Sequence, residues 1–185
     1  MRFTETRLKG AYIIDVDRRE DERGFFARTF CAREFGERGL NTTFVQCHTS
    51  YNRTAGTLRG MHYQALPAAE SKLVRCTSGA IYDVIVDLRT DSPTYLEHIA
   101  VELNAENRRQ LYIPEMFAHG FITLAPDAEV AYQVGAFYAP EYERGLRYDD
   151  PALGIEWRMP VQVISQKDLN WPLLEARPAR RNQND

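Results

Sequence analysis

The chain has 185 residues, of which 44% are hydrophobic and 26% are charged, with a net charge of -3 at pH 7. This is an ordinary globular composition, and the length suits one domain with its own hydrophobic core. The slightly acidic balance argues against a nucleic-acid-binding surface. No run of about 18 uncharged apolar residues is present, so we expect no membrane span. We expect a single domain over residues 1–176 and a polar tail over residues 177–185.

The N-terminal segment lacks the apolar stretch of a secretory signal peptide. The chain has three cysteines, Cys31, Cys47 and Cys76, which are widely spaced and form no C-x-x-C pair. Such cysteine usage is typical of a reducing compartment rather than of a disulfide framework. We therefore expect a cytoplasmic protein that binds neither nucleic acid nor membrane.

In chain order, the hydrophobic pattern predicts many short strands and little helix. The clearest alternation runs over residues 81–88, where Val84 and Val86 interleave with Asp83 and Ile85, as in a half-buried strand. The only helical signal covers residues 32–38 and ends at Gly39. Turn-forming residues separate the strands, which favours a sandwich or barrel. The remaining predicted strands cover residues 11–16, 25–30, 44–50, 58–64, 73–77, 99–103, 111–114, 130–134 and 161–163.

Four histidines are the first candidates for chemistry. His62 lies in a predicted strand beside other polar side chains, and His48 lies on a second strand. His119 lies among apolar residues at an expected turn between strands. His98 comes directly after Glu97 in an expected polar loop. The residues alone leave open whether His62 packs structurally or transfers protons, since an imidazole can do either.

Several kinds of site are disfavoured by the motifs that are missing. No two histidines have the close spacing that commonly fixes a metal ion, and no G-x-S-x-G, P-loop or G-x-G-x-x-G segment occurs. Acid–base chemistry remains, with His62, Tyr132, Lys72 and Asp168 as candidates. Each has a structural alternative, such as a core tyrosine at Tyr132 or a helix-capping carboxylate at Asp168.

A set of local strings then points to a family. In chain order they are D-E-R-G-F-F at 21–26, L-R-G-M-H-Y-Q at 58–64, K-L-V-R-C at 72–76, G-A-I-Y-D-V at 79–84, D-L-R at 87–89, I-P-E-M-F-A-H-G-F at 113–121, Y-A-P at 138–140 with Glu143, and S-Q-K-D at 165–168. Each string is weakly specific by itself, but the occurrence of all of them in this order is highly specific. The chain resembles the cupin-type nucleotide-sugar epimerases, the dTDP-4-dehydrorhamnose 3,5-epimerase family.

The resemblance implies a mainly β, cupin-like jelly-roll barrel with a few short helices and an active site inside it. It implies a homodimeric enzyme that uses no cofactor and no metal. His62 would be the base, Asp168 would assist it, and Tyr132 would be the acid. Lys72 would lie near the keto oxygen of the sugar, where an ammonium group stabilises a developing enolate.

The implied substrate is a nucleotide diphosphate sugar with a ketone at C4, which acidifies the protons at C3 and C5. Arg23 would reach the diphosphate from the partner subunit, because a guanidinium group binds phosphate with paired hydrogen bonds. The other implied substrate contacts are Arg28, Gln46, His48, Arg59, His119, Tyr138, Glu143 and Lys167.

Four other functions stay open on the sequence. A single-centre epimerase acting at C3 or C5 alone would use the same acid and base. A sugar 3,4-ketoisomerase on a related barrel would not need Tyr132 to return a proton to the opposite face. A sugar-binding jelly roll and a metal-dependent cupin are further alternatives, disfavoured by the retained acid–base set and by the missing histidine pair.

Three residues depart from the common pattern of the family. Arg28 stands where many members carry glutamate, and His48 stands where many carry asparagine, so contacts with the nucleotide and the sugar should differ. Met116 replaces a common glycine in the turn before His119. If that turn needs a positive φ, methionine is strained there or the loop differs.

The strand predicted over residues 58–64 presents a geometric problem. Strict alternation places Arg59 and His62 on opposite faces of the sheet. Both can reach one substrate only if the strand is interrupted, and Gly60 lies between them. We therefore expect a β-bulge at Gly60 or a site at the end of the strand.

Overall fold

The protein, represented by a computed structural model, is described over residues 1–174, so the predicted tail over 177–185 lies outside the described residues. Within residues 1–174, no helix is long and apolar enough to cross a bilayer. The fold is mainly β with two short helices, α1 (Ala32–Gly36) and α2 (Gln166–Leu169). The strands are β1 (Arg2–Glu5), β2 (Tyr12–Asp15), β3 (Arg19–Asp21), β4 (Gly24–Phe26), β5 (Gln46–Asn52), β6 (Leu58–Gln64), β7 (Lys72–Ser78), β8 (Ala80–Asp87), β9 (His98–Asn104), β10 (Gln110–Ile113), β11 (Phe117–Thr123), β12 (Ala128–Val134) and β13 (Glu143–Gly145).

Two sheets face each other. The six-stranded sheet has the order β1-β2-β10-β7-β12-β5, and the five-stranded sheet has the order β13-β6-β11-β8-β9. All strand pairs within them are antiparallel, while β3 and β4 form a separate hairpin. This arrangement confirms the predicted jelly-roll barrel, in which two antiparallel sheets enclose one interior.

The space between the sheets is apolar at one end and polar at the other. Val74 and Leu111 of the six-stranded sheet pack there against Ile81, Ile85 and Phe121 of the five-stranded sheet, and all five are buried. Burying side chains of this size stabilises the fold by about 1.5 to 3 kcal/mol each. The polar end of the same interior is where the candidate site lies.

The prediction that residues 81–88 form a half-buried strand is wrong in one respect. β8 is buried on both faces, because Val84 and Val86 pack outward against Met61 and Leu146 in a second core. The chain that follows β13 covers this outer face, with Leu153 buried in it. Unlike most strands buried on both faces, β8 still alternates, because Asp83 and Asp87 are carboxylates that are themselves buried.

A third apolar cluster lies on the outer face of the six-stranded sheet. The predicted helix is present as α1, and it buries Phe35 against Leu73 and Tyr112. Phe30 and Phe44 complete the cluster with edge-on ring contacts to Phe35. The helix is short, so this packing rather than helix propensity holds it in place.

Three predicted features differ from the structure. The strand predicted over 161–163 is reduced to an isolated bridge between Thr57 and Val163. The turn expected around His119 is instead the middle of β11, which is buried at every position. A strand buried on both faces has no polar–apolar alternation, so its sequence gives no period-two signal. His98, expected in a loop, begins β9.

Candidate active site

A β-bulge in β6 creates the geometry of the site. The pairing of β6 with β11 shifts by one residue, so that Gly60 and Met61 together oppose Gly120. The extra residue brings Arg59 and His62 to the same cavity, which confirms the bulge predicted at Gly60. The two strands approach so closely that a Cβ at Gly120 would lie 2.6 Å from the sulfur of Met61.

A cavity of about 670 Å³ opens between the two sheets. A smaller cavity of about 170 Å³ adjoins it and shares His62, Lys72 and Tyr132 with it. The predicted site residues in the larger cavity are Arg59, His62, Lys72, His119, Tyr132, Lys167 and Asp168, and the smaller one adds Gln46, His48, Tyr138 and Glu143. Residues that are far apart in sequence thus line adjoining cavities of a size usual for a small-molecule binding site.

His62 and Asp168 form a hydrogen-bonded pair. The Nε2 atom of His62 lies 2.6 Å from Oδ1 of Asp168, and Oδ2 accepts the backbone N–H of Gly60 at 3.3 Å. Burial alone raises the pKa of Asp168, but the hydrogen bonds from His62 and Gly60 outweigh it and hold the pKa below its usual value. Asp168 is therefore ionised at neutral pH and fixes the orientation of the imidazole ring.

The helix α2 sets the position of Asp168. Ser165 is its N-cap, and the Ser165 hydroxyl oxygen accepts the backbone N–H of Asp168 at 3.1 Å. This is the usual role of serine at a helix start. Asp168 is thus part of a capped helical turn, as the sequence allowed, and its carboxylate also points at His62.

Tyr132 lies on the six-stranded sheet, across the interior from β6. It packs against the apolar core, as the alternation of β12 predicts, and its ring stacks on His48 at 5.3 Å between centroids. Burial and the charge of Glu70 raise the pKa of the Tyr132 phenol, and Arg59 lowers it. The net effect is a pKa above that of an ordinary tyrosine. Tyr132 therefore carries its proton at neutral pH, as an acid must.

Lys72 is a buried cation at the start of β7. Its ammonium nitrogen lies 3.2 Å from a carboxylate oxygen of Glu70, and both side chains are nine-tenths enclosed or nearly so. Glu70 is absent from the residues predicted for the site. Its position two residues before Lys72 is the only sequence signal that could have found it, since the two side chains of such a pair can meet at a strand end.

A chain of polar side chains forms the rim of the smaller cavity. Glu143 accepts hydrogen bonds from the Tyr138 hydroxyl at 2.7 Å and from the Lys167 ammonium at 2.6 Å. Burial raises the pKa of Glu143, but these two hydrogen bonds outweigh it and hold the pKa below its usual value. The carboxyl is therefore ionised at neutral pH. Gln46 accepts the backbone N–H of Tyr138 at 2.8 Å and so fixes this rim to β5.

His119 has its own buried carboxylate, which sequence analysis did not assign to the site. Its Nε2 atom lies 2.7 Å from Oδ1 of Asp83, a residue with no exposed surface. The other oxygen of Asp83 has no hydrogen-bond partner among the described residues. The alternation of β8 does predict that Asp83 shares the inner face with Ile85, but no pattern links it to a histidine 36 residues later.

Two more positions support the site. Asn52, buried at the end of β5, accepts the Nε–H of Arg59 at 2.7 Å and so holds the guanidinium group over the cavity. Trp171 packs directly on Gly145, where any Cβ would overlap the indole, and its ring meets His62 edge-on at 6.3 Å. Neither residue was predicted: Asn52 lies seven residues before Arg59 with no motif that joins them, and Trp171 is remote in sequence from Gly145.

Two predicted substrate contacts lie away from the cavity. Arg23 is at the tip of the β3–β4 hairpin, with its side chain 84% exposed and bound to Asp21. Arg28 lines a separate pocket of about 260 Å³ and pairs with Glu34 at 3.2 Å. The structure of one chain therefore does not bring Arg23 or Arg28 to His62.

Met116 adopts a left-handed backbone conformation, with a φ of 59°. The turn before His119 therefore has the positive φ that glycine favours, and methionine occupies it at a cost of about 1 to 2 kcal/mol. The strain anticipated for methionine at a positive φ is therefore present in this turn. The carbonyl of Met116 accepts the N–H of Leu88, which ties the turn to the end of β8.

Groups of three or more histidine, cysteine, aspartate or glutamate side chains at metal-binding spacing do not occur among residues 1–174. His62 and His119 each use one ring nitrogen on a carboxylate instead. The arrangement provides acid–base groups and cationic donors around one cavity.

Comparison with known proteins agrees with this geometry. The profile of the dTDP-4-dehydrorhamnose 3,5-epimerase family matches residues 5–176. The chain is 45% identical over 180 residues to the dTDP-4-dehydrorhamnose 3,5-epimerase of Methanothermobacter thermautotrophicus, covering 96% of each chain. It is 46% identical over 175 residues to the enzyme of the same name from Sinorhizobium fredii, covering 94% of this chain and 90% of the relative.

Solved structures of such enzymes have the same fold. The one from Elizabethkingia anophelis superimposes with a TM-score of 0.91 at 41% identity, covering 94% of this chain and 96% of that one. The one from Bacillus anthracis, with TDP and PPi bound, has a TM-score of 0.90 at 40% identity and covers 94% and 99%. The one from Legionella pneumophila, in complex with dTDP-4-keto-L-rhamnose, has a TM-score of 0.87 at 40% identity and covers 93% and 92%. The chain belongs to the dTDP-4-dehydrorhamnose 3,5-epimerase family.

Proposed function

We propose that the protein epimerises C3 and C5 of dTDP-4-dehydro-6-deoxy-D-glucose to give dTDP-4-dehydro-L-rhamnose. The observation that carries this proposal is the shared cavity, in which the His62–Asp168 pair, Lys72 and the protonated Tyr132 all meet. The TDP and dTDP-sugar ligands of the related structures support a nucleotide-sugar substrate.

His62 is the base in this proposal. A C4 ketone acidifies the protons at C3 and C5, and histidine accepts protons near neutral pH. Asp168 binds Nε2 of His62, which leaves Nδ1 to face the sugar. The same carboxylate stabilises the imidazolium that forms when the proton is taken.

Lys72 stabilises the enolate. Removing a proton from C3 or C5 moves negative charge to the C4 oxygen, and a preorganised cation nearby lowers the barrier to this step. Lys72 is buried beside the cavity, so its charge acts where water is largely excluded.

Tyr132 returns the proton to the opposite face of the sugar. Inversion needs one group on each face, since a single base can only exchange the proton and restore the starting centre. Tyr132 projects from the six-stranded sheet and His62 from the five-stranded sheet, which supports their acting from two sides. Its raised pKa keeps the phenol protonated until the enolate forms.

The remaining polar groups bind the nucleotide diphosphate. Arg59 and Lys167 line the larger cavity and provide positive charge for phosphate oxygens. Tyr138 is 55% exposed on the rim, where its ring offers a surface for a nucleobase. The other proposed substrate contacts in or beside the two cavities are Gln46, His48, His119 and Glu143.

We also propose that the enzyme is a homodimer in which Arg23 reaches the partner's diphosphate site. The β3–β4 hairpin is exposed at every residue, and it carries Phe26 at 72% exposure beside Phe25 at 42%. Two adjacent exposed phenylalanines on a projecting hairpin favour burial against another surface. Arg28 follows the hairpin directly, so the same contact would bring it toward the partner. Gel filtration with light scattering tests the dimer, and Arg23→Ala should then raise KM.

We place the enzyme in the reducing cytoplasm. The three cysteines are free thiols in the structure, and Cys47 is exposed. Exposed unpaired thiols are typical of a reducing compartment. Fractionation of the native host with thiol labelling tests this assignment.

The activity is tested directly by incubating the protein with dTDP-4-dehydro-6-deoxy-D-glucose in D2O and following the sugar by NMR and mass spectrometry. Deuterium at C3 and at C5, with inversion at both centres, is the expected result. Deuterium at one carbon would make it a single-centre epimerase. Migration of the ketone to C3 would make it a ketoisomerase, and no exchange at all would overturn the assignment.

A further inference from the structure

Glu70 is a largely enclosed carboxylate that has no role in the proposed reaction. It lines the smaller cavity together with Lys72, Tyr132 and His62, and its side chain is 12% exposed. A carboxylate in such a place is unfavourable unless a cation accompanies it. Its partner is the Lys72 ammonium group at 3.2 Å.

The other carboxylates of the site already have partners of their own. Asp168 is bound to His62, Asp83 to His119, and Glu143 to both Tyr138 and Lys167. Glu70 is therefore the ion-pair partner that the described residues offer Lys72. Other charged or titratable groups lining the two cavities are His48, Arg59, His62, His119, Tyr132, Tyr138, Glu143, Lys167 and Asp168.

We propose that Glu70 is a positioning residue for Lys72, fixing the ammonium group where the enolate oxygen develops; this rests on the proposed epimerase function. A lysine side chain has a flexible four-carbon stem and loses considerable rotamer entropy when it is held in one position. One ion pair with a buried carboxylate restricts it. The ammonium group has three N–H donors, so the contact with Glu70 leaves donors for the substrate.

Glu70 has a second effect at Tyr132. Its negative charge opposes ionisation of the phenol and adds to the increase that burial produces in the pKa of Tyr132. The same carboxylate thus holds the cation for the first proton transfer and helps to keep the proton needed for the second.

The test replaces Glu70 by glutamine, which keeps the volume and removes the charge. We expect kcat of Glu70→Gln to fall about tenfold with KM changed by less than about twofold, because a misplaced cation affects the enolate more than ground-state binding. The alkaline limb of the kcat profile should move to lower pH, since Tyr132 loses a neighbouring negative charge. Glu70→Asp keeps the negative charge, so the alkaline limb of its kcat profile should lie at the same pH as in the parent enzyme. The matched control is Glu106→Gln, with parental values expected, because Glu106 is exposed in the turn between β9 and β10 and lines neither cavity.

A double-mutant cycle separates positioning from structure. In a Lys72→Met background, Glu70→Gln should change the rate of deuterium incorporation by less than about twofold, because the group it acts through is gone. A full tenfold effect in that background, or a Glu70→Gln enzyme with parental kcat and parental alkaline limb, would overturn the inference while the epimerase function stood. A parent enzyme that exchanges no deuterium would instead overturn the proposed function, and with it this role of Glu70.

Discussion

His62 and His119 occupy directly paired positions on β6 and β11, and each ring is bound to a buried aspartate. The two pairs are not equivalent. Asp168 accepts a second hydrogen bond from the backbone of Gly60, whereas Asp83 has one oxygen without a partner among the described residues. Their replacement should therefore have different consequences, as should replacement of the histidines.

His62→Asn should remove the base and leave the fold intact. We expect kcat to fall by about 10³-fold, within the usual contribution of a general base. The midpoint of thermal unfolding should shift by only a few degrees, because His62 is about one-third exposed. His98→Asn, on β9 and outside both cavities, is the matched control. Parental activity in His62→Asn would show that another residue removes the proton.

Tyr132→Phe should separate proton exchange from inversion. The variant keeps His62 and Lys72, so deuterium should still enter at the acidic carbons from the side of the base. Return of a proton to the opposite face should fall by at least about 10²-fold, because the acid is missing. NMR of the sugar in D2O measures both rates in one sample. Tyr148→Phe, outside the cavities, serves as the control, and equal loss of exchange and inversion would contradict the assignment.

Asp83→Asn and Asp168→Asn form a matched pair of substitutions. Asp168 orients the base, so Asp168→Asn should lower kcat by about 10²-fold or more. Asp83 orients His119, which we assign to substrate binding, so Asp83→Asn should mainly raise KM by about tenfold. Steady-state kinetics over a range of substrate concentrations resolves the two parameters. The reverse pattern would make His119 the base.

Asp87 should contribute to stability in a pH-dependent way. Burial raises the pKa of this carboxyl, but hydrogen bonds from Arg89, Ser92 and Thr94 outweigh it and lower the pKa from 3.8 to about 2. Because the folded pKa lies below the unfolded value, the stabilisation is fully present above about pH 4 and is lost as the pH falls toward 2. Its size is about 2 kcal/mol at neutral pH.

Asp87→Asn should therefore lower the free energy of unfolding by about 2 kcal/mol between pH 5 and 8. The difference from the parent protein should shrink as the pH falls below 4. Urea unfolding at a series of pH values measures it, with Asp91→Asn as an exposed control in the following loop. A difference that stays constant down to pH 3 would show that the hydrogen bonds do not depend on the charge.

The sequence predicted those parts of the molecule whose determinants are local. The bounds of β6 and the need for a bulge at Gly60 follow from one short string and the rule of alternation. β11 was missed because burial on both faces removes the alternation that marks a strand. Trp171 and Glu70 were missed for another reason: their roles exist only once Gly145 and Lys72 are placed beside them.

The resemblance supplied the identity of most site residues, but it could not supply their partners. Neither Asp83 nor Asn52 stands in a motif with the residue that it holds. Asp83 and His119 meet because β8 and β11 are neighbours in one sheet, whereas Asn52 reaches Arg59 from the edge strand of the other sheet. Such contacts depend on the arrangement and register of the strands, which the spacing of two residues along the chain does not specify.

The bulge at Gly60 gives Arg59 and His62 a fixed spacing along the same cavity. Arg59 and His62 lie on one short strand, so the backbone largely sets the distance between the residue that we propose for phosphate binding and the proposed base. A sugar joined through a diphosphate would be measured between these two residues, with its reactive carbons brought to the imidazole. A sugar monophosphate, or a nucleotide sugar with a longer linkage, would place the wrong atoms there. In the proposed reaction, the backbone of β6 would therefore favour substrates whose phosphate and reactive carbons are separated by this fixed distance.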